Sequence, residues 1–303
     1  MFQIAPEIEH ALADDQAIVA LETTLICHGL PRPANLEAAF EIERAVREVG
    51  AIPATIGILE GQAKIGLTGE EISRLAVDTG VMKCSTRDLA YAMAHGTNGA
   101  TTVAATIYLA RLAGIQFMAT GGLGGVHRGG ESSMDISADI GELARSSSVV
   151  VCSGAKAILD LPRTVEALES HGVALYGFQT DRLPGFYVCR TSIEVPKLDG
   201  VDEARSLVRA HHAIGSPGSV VIANPPPAAL AMDEREFEAL LADALNGAAA
   251  DHIGGREVTP YLLAHIARAT SDRSVELNRE LVIANARLAA RIASACRSGS
   301  PAD

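Results

Sequence analysis

Residues 100–130, ATTVAATIYLARLAGIQFMATGGLGGVHRGG, decide the fold. The apolar spacing over Ala100–Ala113 predicts a helix, and Gly114 stops it. Ile115–Ala119 reads as a short buried strand that runs directly into a loop with six glycines. Helix, stop and apolar strand in succession mark a chain that alternates between two periods.

The same alternation extends in both directions. Upstream, Ala17–Thr23 is a short apolar run and Ile52–Leu59 reads as a strand. Between them Asn35 is placed to cap the amphipathic segment LEAAFEIERAVREV, which Gly50 ends. Thr68 and Glu71 have capping-box spacing. Downstream, Ser148–Cys152, Val173–Gly177 and Ser219–Ala223 read as strands, while Ala155–Leu161 and Pro162–Ser170 read as helices. Helices are also expected over Asp233–Leu245, Thr259–Ala269 and about Ser274 to Ala295. Segments 178–200 and 211–218 look irregular. Strands alternating with helices argue for an α/β fold with a mainly parallel sheet. The strand runs show no clean in-out alternation, as expected when both sheet faces are covered. No repeat or domain boundary interrupts residues 1–303, which read as one α/β catalytic domain ending in a flexible tail at about 297–303.

Composition excludes several classes. Net charge is −12, which disfavours nucleic acid polymers and anionic membranes as partners. No apolar run is long enough to span a bilayer, and the first residues lack a signal-peptide pattern. Five scattered cysteines form neither a CxxC pair nor a disulfide framework, so a reducing, cytoplasmic setting is expected. Only four of the 25 basic residues are lysines: Lys64, Lys83, Lys156 and Lys197.

In a parallel α/β sheet, ligands gather at the carboxyl ends of the strands. Glu22, Lys83, Thr120 and the segment Ser153-Gly154-Ala155-Lys156 all fall there. Lys156 follows a buried strand at the start of an expected helix. An apolar setting and a helix N-terminus both lower an amine's pKa, and a neutral amine can form a Schiff base, which Arg cannot. An ordinary lysine with a packed stem fits the same position. Glu22, behind an apolar run, is expected to be largely buried, either as an ion-pair partner or as a general acid or base. The glycines of 121–130 suit close backbone approach to a phosphate, though the loop matches neither a Walker nor a dinucleotide pattern. Asp135 and Asp139 are four apart. They could serve Mg²⁺ or Mn²⁺, or Asp135 could simply cap the next helix. Asn278 and Asn285 share one face of the last helix, where the apolar stripe requires them to find partners. Cys27 and His28 are adjacent on an expected strand, hence on opposite faces, and His211-His212 reads as surface loop.

In order along the chain stand ALETTLICHGLPRPAN, AIPATIGILEGQAKIGLT, KCSTRDL, NGATTVAAT, ATGGLGGVHRGG, DISADI, CSGAKAILDL, ANPPP and REVTPYLLAHI. This series resembles the pseudouridine-5′-phosphate glycosidase family, also called indigoidine synthase A-like. The resemblance runs from near residue 17 to near residue 290. It implies a three-layer α/β/α homotrimer that uses a divalent metal, usually Mn²⁺, and splits pseudouridine 5′-phosphate into ribose 5-phosphate and uracil. By resemblance, Lys156 is the nucleophile, Glu22 the proton donor and Asp135 the metal ligand. Lys83, the main chain at Val103, and Ser137, Ala138 and Asp139 bind substrate, with Thr120, His127 and Asn278 at further pocket positions. Ring opening with Glu22 protonating the ring oxygen lets Lys156 form an iminium at C1′, an electron sink for a bond with no heteroatom leaving group. Three motifs depart from the family wording: EST reads Glu22-Thr23-Thr24, CAGAKS carries Ser153 and Ala157, and PAF reads Pro184-Gly185-Phe186. The catalytic types are intact. The base pocket leaves open a relative that joins ribose 5-phosphate to another heterocycle. A phosphosugar-binding protein without catalysis is disfavoured by the retained Lys156 and Glu22.

Overall fold

A computed structural model describes residues 2–253, 258–270 and 272–297. Its strands are β1 Gln3–Ile4, β2 Ile18–Leu21, β3 Ile52–Leu59, β4 Gln62–Ile65, β5 Met82–Cys84, β6 Gly99–Thr101, β7 Phe117–Ala119, β8 Val149–Cys152, β9 Ala174–Phe178, β10 Lys197–Leu198 and β11 Val220–Ala223. They form one sheet in the order β1-β4-β3-β2-β7-β8-β11-β9-β10, with β6 paired to β3 and β5 to β6. From β3 to β10 every neighbour along that path is parallel. The antiparallel pairs are β3 with β4 and β3 with β6. The β3–β4 hairpin turns on Glu60 and Gly61, both at positive φ, as a two-residue turn matched to strand twist demands.

The strands are buried on both faces, and their period of two sends alternate residues to opposite layers. Val19, Leu21, Phe117, Val149, Val151, Val220 and Ile222 pack on one side with helices Ala34–Arg47, Val201–Ala213, Glu234–Ala250 and Arg273–Arg297. Ile18, Ala20, Met118, Val150 and Val221 pack on the other with helices Pro6–Ala13, Val103–Leu112, Ala138–Ser146 and Leu161–Ser170. This is the expected three-layer α/β/α arrangement. With few aromatics, the layers close through Ala, Val, Leu and Ile.

Several local expectations differ from the structure. Residues 155–160 form no helix. Instead the loop after β7 and the loop after β8 continue the pairing of their strands. Leu123 N–H donates to Gly154 O at 3.0 Å, Lys156 N–H to Leu123 O at 2.9 Å and Asp160 N–H to Val126 O at 2.9 Å. Gly154 has φ +86°, and an added Cβ would collide with the Pro184 carbonyl. Long-range backbone bonds thus override the helical tendency of AKAILDL. Ala100 and Thr101 belong to β6, so the next helix starts at Val103. Asn35 lies inside its helix rather than capping it, and its Nδ2 donates to Ile26 O and Ala76 O. Cys27 and His28 sit on a wide helical turn, Leu25–Gly29, not on a strand. Residues 211–213 end a helix, and His211 is buried, its Nε2 2.6 Å from Gly218 O. Thr68 and Glu71 form the expected capping box. Of the expected tail, residues 298–303 lie outside the described part.

Candidate active site

At the carboxyl ends of β2, β7 and β8 lies a cavity of about 380 Å³. Its walls include Glu22, Lys83, Ser85, Arg87, Thr102, Gly124, His127, Asp135, Ser137, Ala138, Asp139, Lys156, Tyr187 and Asn278. Most of the residues singled out in sequence therefore meet in one place. Of the residues given a role by resemblance, two do not reach its wall. Thr120 is buried and donates its hydroxyl to Glu22 Oε1. Val103 is buried, while the preceding Thr102 lines the cavity.

Glu22 follows β2 and is half-buried, more accessible than its apolar context suggests. Two hydroxyls grip its carboxylate: Thr24 donates to Oε2 and Thr120 to Oε1. Lys156 is half-buried, and its backbone is pinned on Leu123. The helix expected to begin there is absent, so the amine does not sit at the N-terminus of a helix of its own. Lys83 lies in the middle of β5 and lines the cavity. Surrounding protein and then the Lys156 ammonium pull its pKa below the usual 10.5, against the smaller opposing pull of Glu22 and Asp139. Lys83 thus senses the charges of Lys156, Glu22 and Asp139.

Two helix N-termini converge on the cavity, and Asp139 ties them together. Its carboxylate accepts from Ala104 N–H at 2.9 Å, in the first turn of Val103–Leu112, and from Gly124 N–H at 2.7 Å in the Gly-rich loop. Asp139 itself lies in the first turn of Ala138–Ser146, where Ser137 caps by accepting its N–H at 3.2 Å. In the first turn of Val103–Leu112, Ala105 N–H goes to the Thr102 hydroxyl, leaving Val103 N–H with no protein acceptor among the described residues. A free N–H at a helix N-terminus beside a lysine is a site for an anion. Gly124 must be glycine: an added Cβ would stand 2.6 Å from Ser137 Cβ and 2.7 Å from Asp139 Oδ2.

Buried polar atoms without partners mark where a ligand is wanted. Asn278 Oδ1 and Ser85 Oγ are two of them, and both residues line the cavity. Ser85 and Arg87 were not picked out from sequence. The signal was present, since Lys83, Ser85 and Arg87 alternate along KCSTR, but nothing in a lone Ser or Arg distinguishes it from surface. Tyr187 was missed for the same reason. It is 3% exposed, and burial raises its phenol pKa far above the usual 10. Asp135 is exposed at the rim, and no described residue hydrogen-bonds its carboxylate. No grouping of three or more His, Cys, Asp and Glu side chains suited to a metal exists among the described residues. The donor set fits a cation that keeps mostly water ligands, as Mg²⁺ and Mn²⁺ do. Burial pushes the thiols of Cys27, Cys84 and Cys152 up to about 12, 11 and 12, which disfavours the thiolate form that a nucleophile needs. Of the remaining lysines, Lys64 pairs with Glu71 and is more enclosed than a surface residue, while Lys197 is exposed against Asp199 at 2.6 Å.

The sequence model described as indigoidine synthase A like protein matches residues 7–295. Pseudouridine-5′-phosphate glycosidase of Herpetosiphon aurantiacus is 47% identical over 96% of this chain and 97% of its own. The enzyme of that name from Escherichia coli is 47% identical over 97% of this chain and 95% of its own. Among solved structures, the prealnumycin C-glycosynthase AlnA in complex with ribulose 5-phosphate superposes with a TM-score of 0.91 at 40% identity, covering 98% and 97% of the two chains. An indigoidine synthase A-like protein from Thermotoga maritima gives 0.88 at 33% identity over the same shares. The match over residues 7–295 and the 47% identity over nearly the whole length place the chain in the indigoidine synthase A-like family.

Proposed function

We propose that this enzyme cleaves the C–C glycosidic bond of pseudouridine 5′-phosphate, giving ribose 5-phosphate and uracil. The observation that carries this reading is the meeting of Lys156, Glu22 and an anion-binding pair of helix N-termini in one cavity. The 47% identity to relatives named for this reaction supports it.

The phosphate docks where Thr102 opens helix Val103–Leu112 and at the Ser137 hydroxyl, with Lys83, Ser85 and Arg87 as side-chain donors. Glu22, held by Thr24 and Thr120, gives a proton to the ribose ring oxygen as the Lys156 amine bonds to C1′ and the ring opens. The ammonium formed on Lys156 returns a proton to Glu22, which delivers it to the uracil carbon and leaves the Lys156 nitrogen with a lone pair. The Lys156 nitrogen lone pair drives cleavage of the C1′–carbon bond, whose electrons leave with uracil, and an iminium remains on Lys156. Water hydrolyses it to the aldehyde of ribose 5-phosphate and frees the amine. Covalent catalysis is needed because the base offers no heteroatom to leave on. Asp135, with His127 nearby, would hold a hydrated Mn²⁺. Such an ion supplies positive charge to sugar and phosphate oxygens. Asn278 and Tyr187 face the base end, the Asn with an unpartnered acceptor for a ring N–H.

A homotrimer in the cytoplasm completes the reading. Met134 and Ile136 are 77% and 49% exposed beside the cavity rim, where a neighbouring subunit would cover them. The likeness to AlnA favours a second reading, C–C bond formation between ribose 5-phosphate and another base, which would use the same residues. The higher identity to the glycosidases places cleavage first. The test is uracil release from pseudouridine 5′-phosphate with Mn²⁺ present. Turnover is expected. An inactive enzyme that still takes ribose 5-phosphate onto Lys156 would move the assignment to synthesis.

A further inference from the structure

Just behind the cavity wall lies a fully buried polar side chain that the proposed chemistry does not use. Asn285, on helix Arg273–Arg297, is fully buried. Its Nδ2 donates to Thr120 O at 2.9 Å, just beyond β7, and to Ser153 Oγ at 3.0 Å, just beyond β8. Its Oδ1 accepts from Asn224 Nδ2 at 3.0 Å, just beyond β11. One amide thus bridges the carboxyl ends of three adjacent strands. A fully satisfied amide in a dry site is stiff, because no water competes for its bonds. Asn278, two turns away on the same helix, is the opposite case, with its Oδ1 unpartnered and its side chain on the cavity wall.

What Asn285 holds matters. Thr120 carries the hydroxyl that grips Glu22 Oε1. Ser153 opens the Ser153–Lys156 stretch and is itself clamped, donating its N–H to Gly121 O at 2.8 Å and accepting from Phe186 N–H at 2.9 Å. We propose that Asn285 is a positioning residue that locks the Thr120 and Ser153 loops together and so keeps the Glu22 carboxylate and the Lys156 amine in register. This inference rests on the cleavage reading above. A displacement of about 1 Å in a reacting group is enough to cost roughly 100-fold in rate.

The test is steady-state kinetics of wild type, Asn285→Ala, Thr120→Val and the double variant, with pseudouridine 5′-phosphate as substrate. Asn285→Ala is expected to lower kcat by roughly 10- to 100-fold while KM moves by less than about threefold, since the phosphate end is untouched. If Asn285 acts through Thr120, the double variant is no slower than the slower single one, because residues in one network are non-additive. Asn224→Ala removes one donor from Asn285 and leaves the rest in place. It is expected to lower kcat less, and it keeps the question answerable if Asn285→Ala does not fold. Wild-type kcat in folded Asn285→Ala, effects that multiply in the double variant, or wild-type kcat in Asn224→Ala when Asn285→Ala is unfolded would each overturn the proposal. Failure of the wild type to release uracil would instead defeat the cleavage reading.

Discussion

Replacing Asp139 tests whether the anion site is preorganised by a buried carboxylate. The side chain is 4% exposed and bonds Ala104 N–H at 2.9 Å and Gly124 N–H at 2.7 Å. Asp139→Ala leaves both donors buried and unpaired, at roughly 1–3 kcal/mol each, so about 2–6 kcal/mol in all. At about 2 °C per kcal/mol for a chain of this size, the melting temperature should fall by roughly 4–12 °C. Asp139→Asn keeps one acceptor but turns an NH₂ toward the other donor, so its loss should be about half as large, roughly 2–6 °C. Both variants should also bind ribose 5-phosphate more weakly, because the Gly124 loop and the first turn at Val103 lose their common tether. Asp139 also supports the Lys83 charge, so its loss lets the Lys83 pKa fall further. Differential scanning fluorimetry with and without ribose 5-phosphate reads both effects. Melting within about 1 °C of wild type in Asp139→Ala, together with unchanged ligand stabilisation, would refute the reasoning.

Three further outcomes follow from the same geometry. Gly124→Ala should cut ribose 5-phosphate affinity by at least about tenfold, because its Cβ would press on Ser137 and Asp139; isothermal titration checks this. Lys83 attracts phosphate only when protonated, and its pKa lies below 10.5, so KM should rise with pH before an ordinary lysine would titrate. In Lys83→Arg that alkaline rise should vanish; its persistence there would assign the limb to another group. Ser85→Ala should raise KM about three- to tenfold with little change in kcat or melting temperature, because Ser85 Oγ has no hydrogen-bond partner among the described residues.

The legibility of this chain follows the range of its interactions. β3 was readable to the residue, and β2, β7, β8 and β11 to within a residue or two, since each is an apolar run covered on both faces. The capping box at Thr68 is local chemistry and holds. The strands β1, β4, β6 and β10 span two to four residues and carry too little pattern to stand out. Residues 155–160 mislead because their local preference is helical while their hydrogen bonds go to residues 123–126, some 30 positions away. In the site, Glu22, Lys83 and Lys156 were visible because charged residues at strand ends are costly without a purpose. Ser85, Arg87 and the locking role of Asn285 were not, because what distinguishes them is a partner, or the lack of one, supplied by distant parts of the chain.

The central claim is a covalent link between Lys156 and the sugar. Incubation with ribose 5-phosphate and borohydride, followed by peptide mass spectrometry, should locate a reduced pentose-phosphate adduct on Lys156 and none in Lys156→Ala. An adduct on Lys83 in place of Lys156, or no adduct in an enzyme that releases uracil, would contradict it.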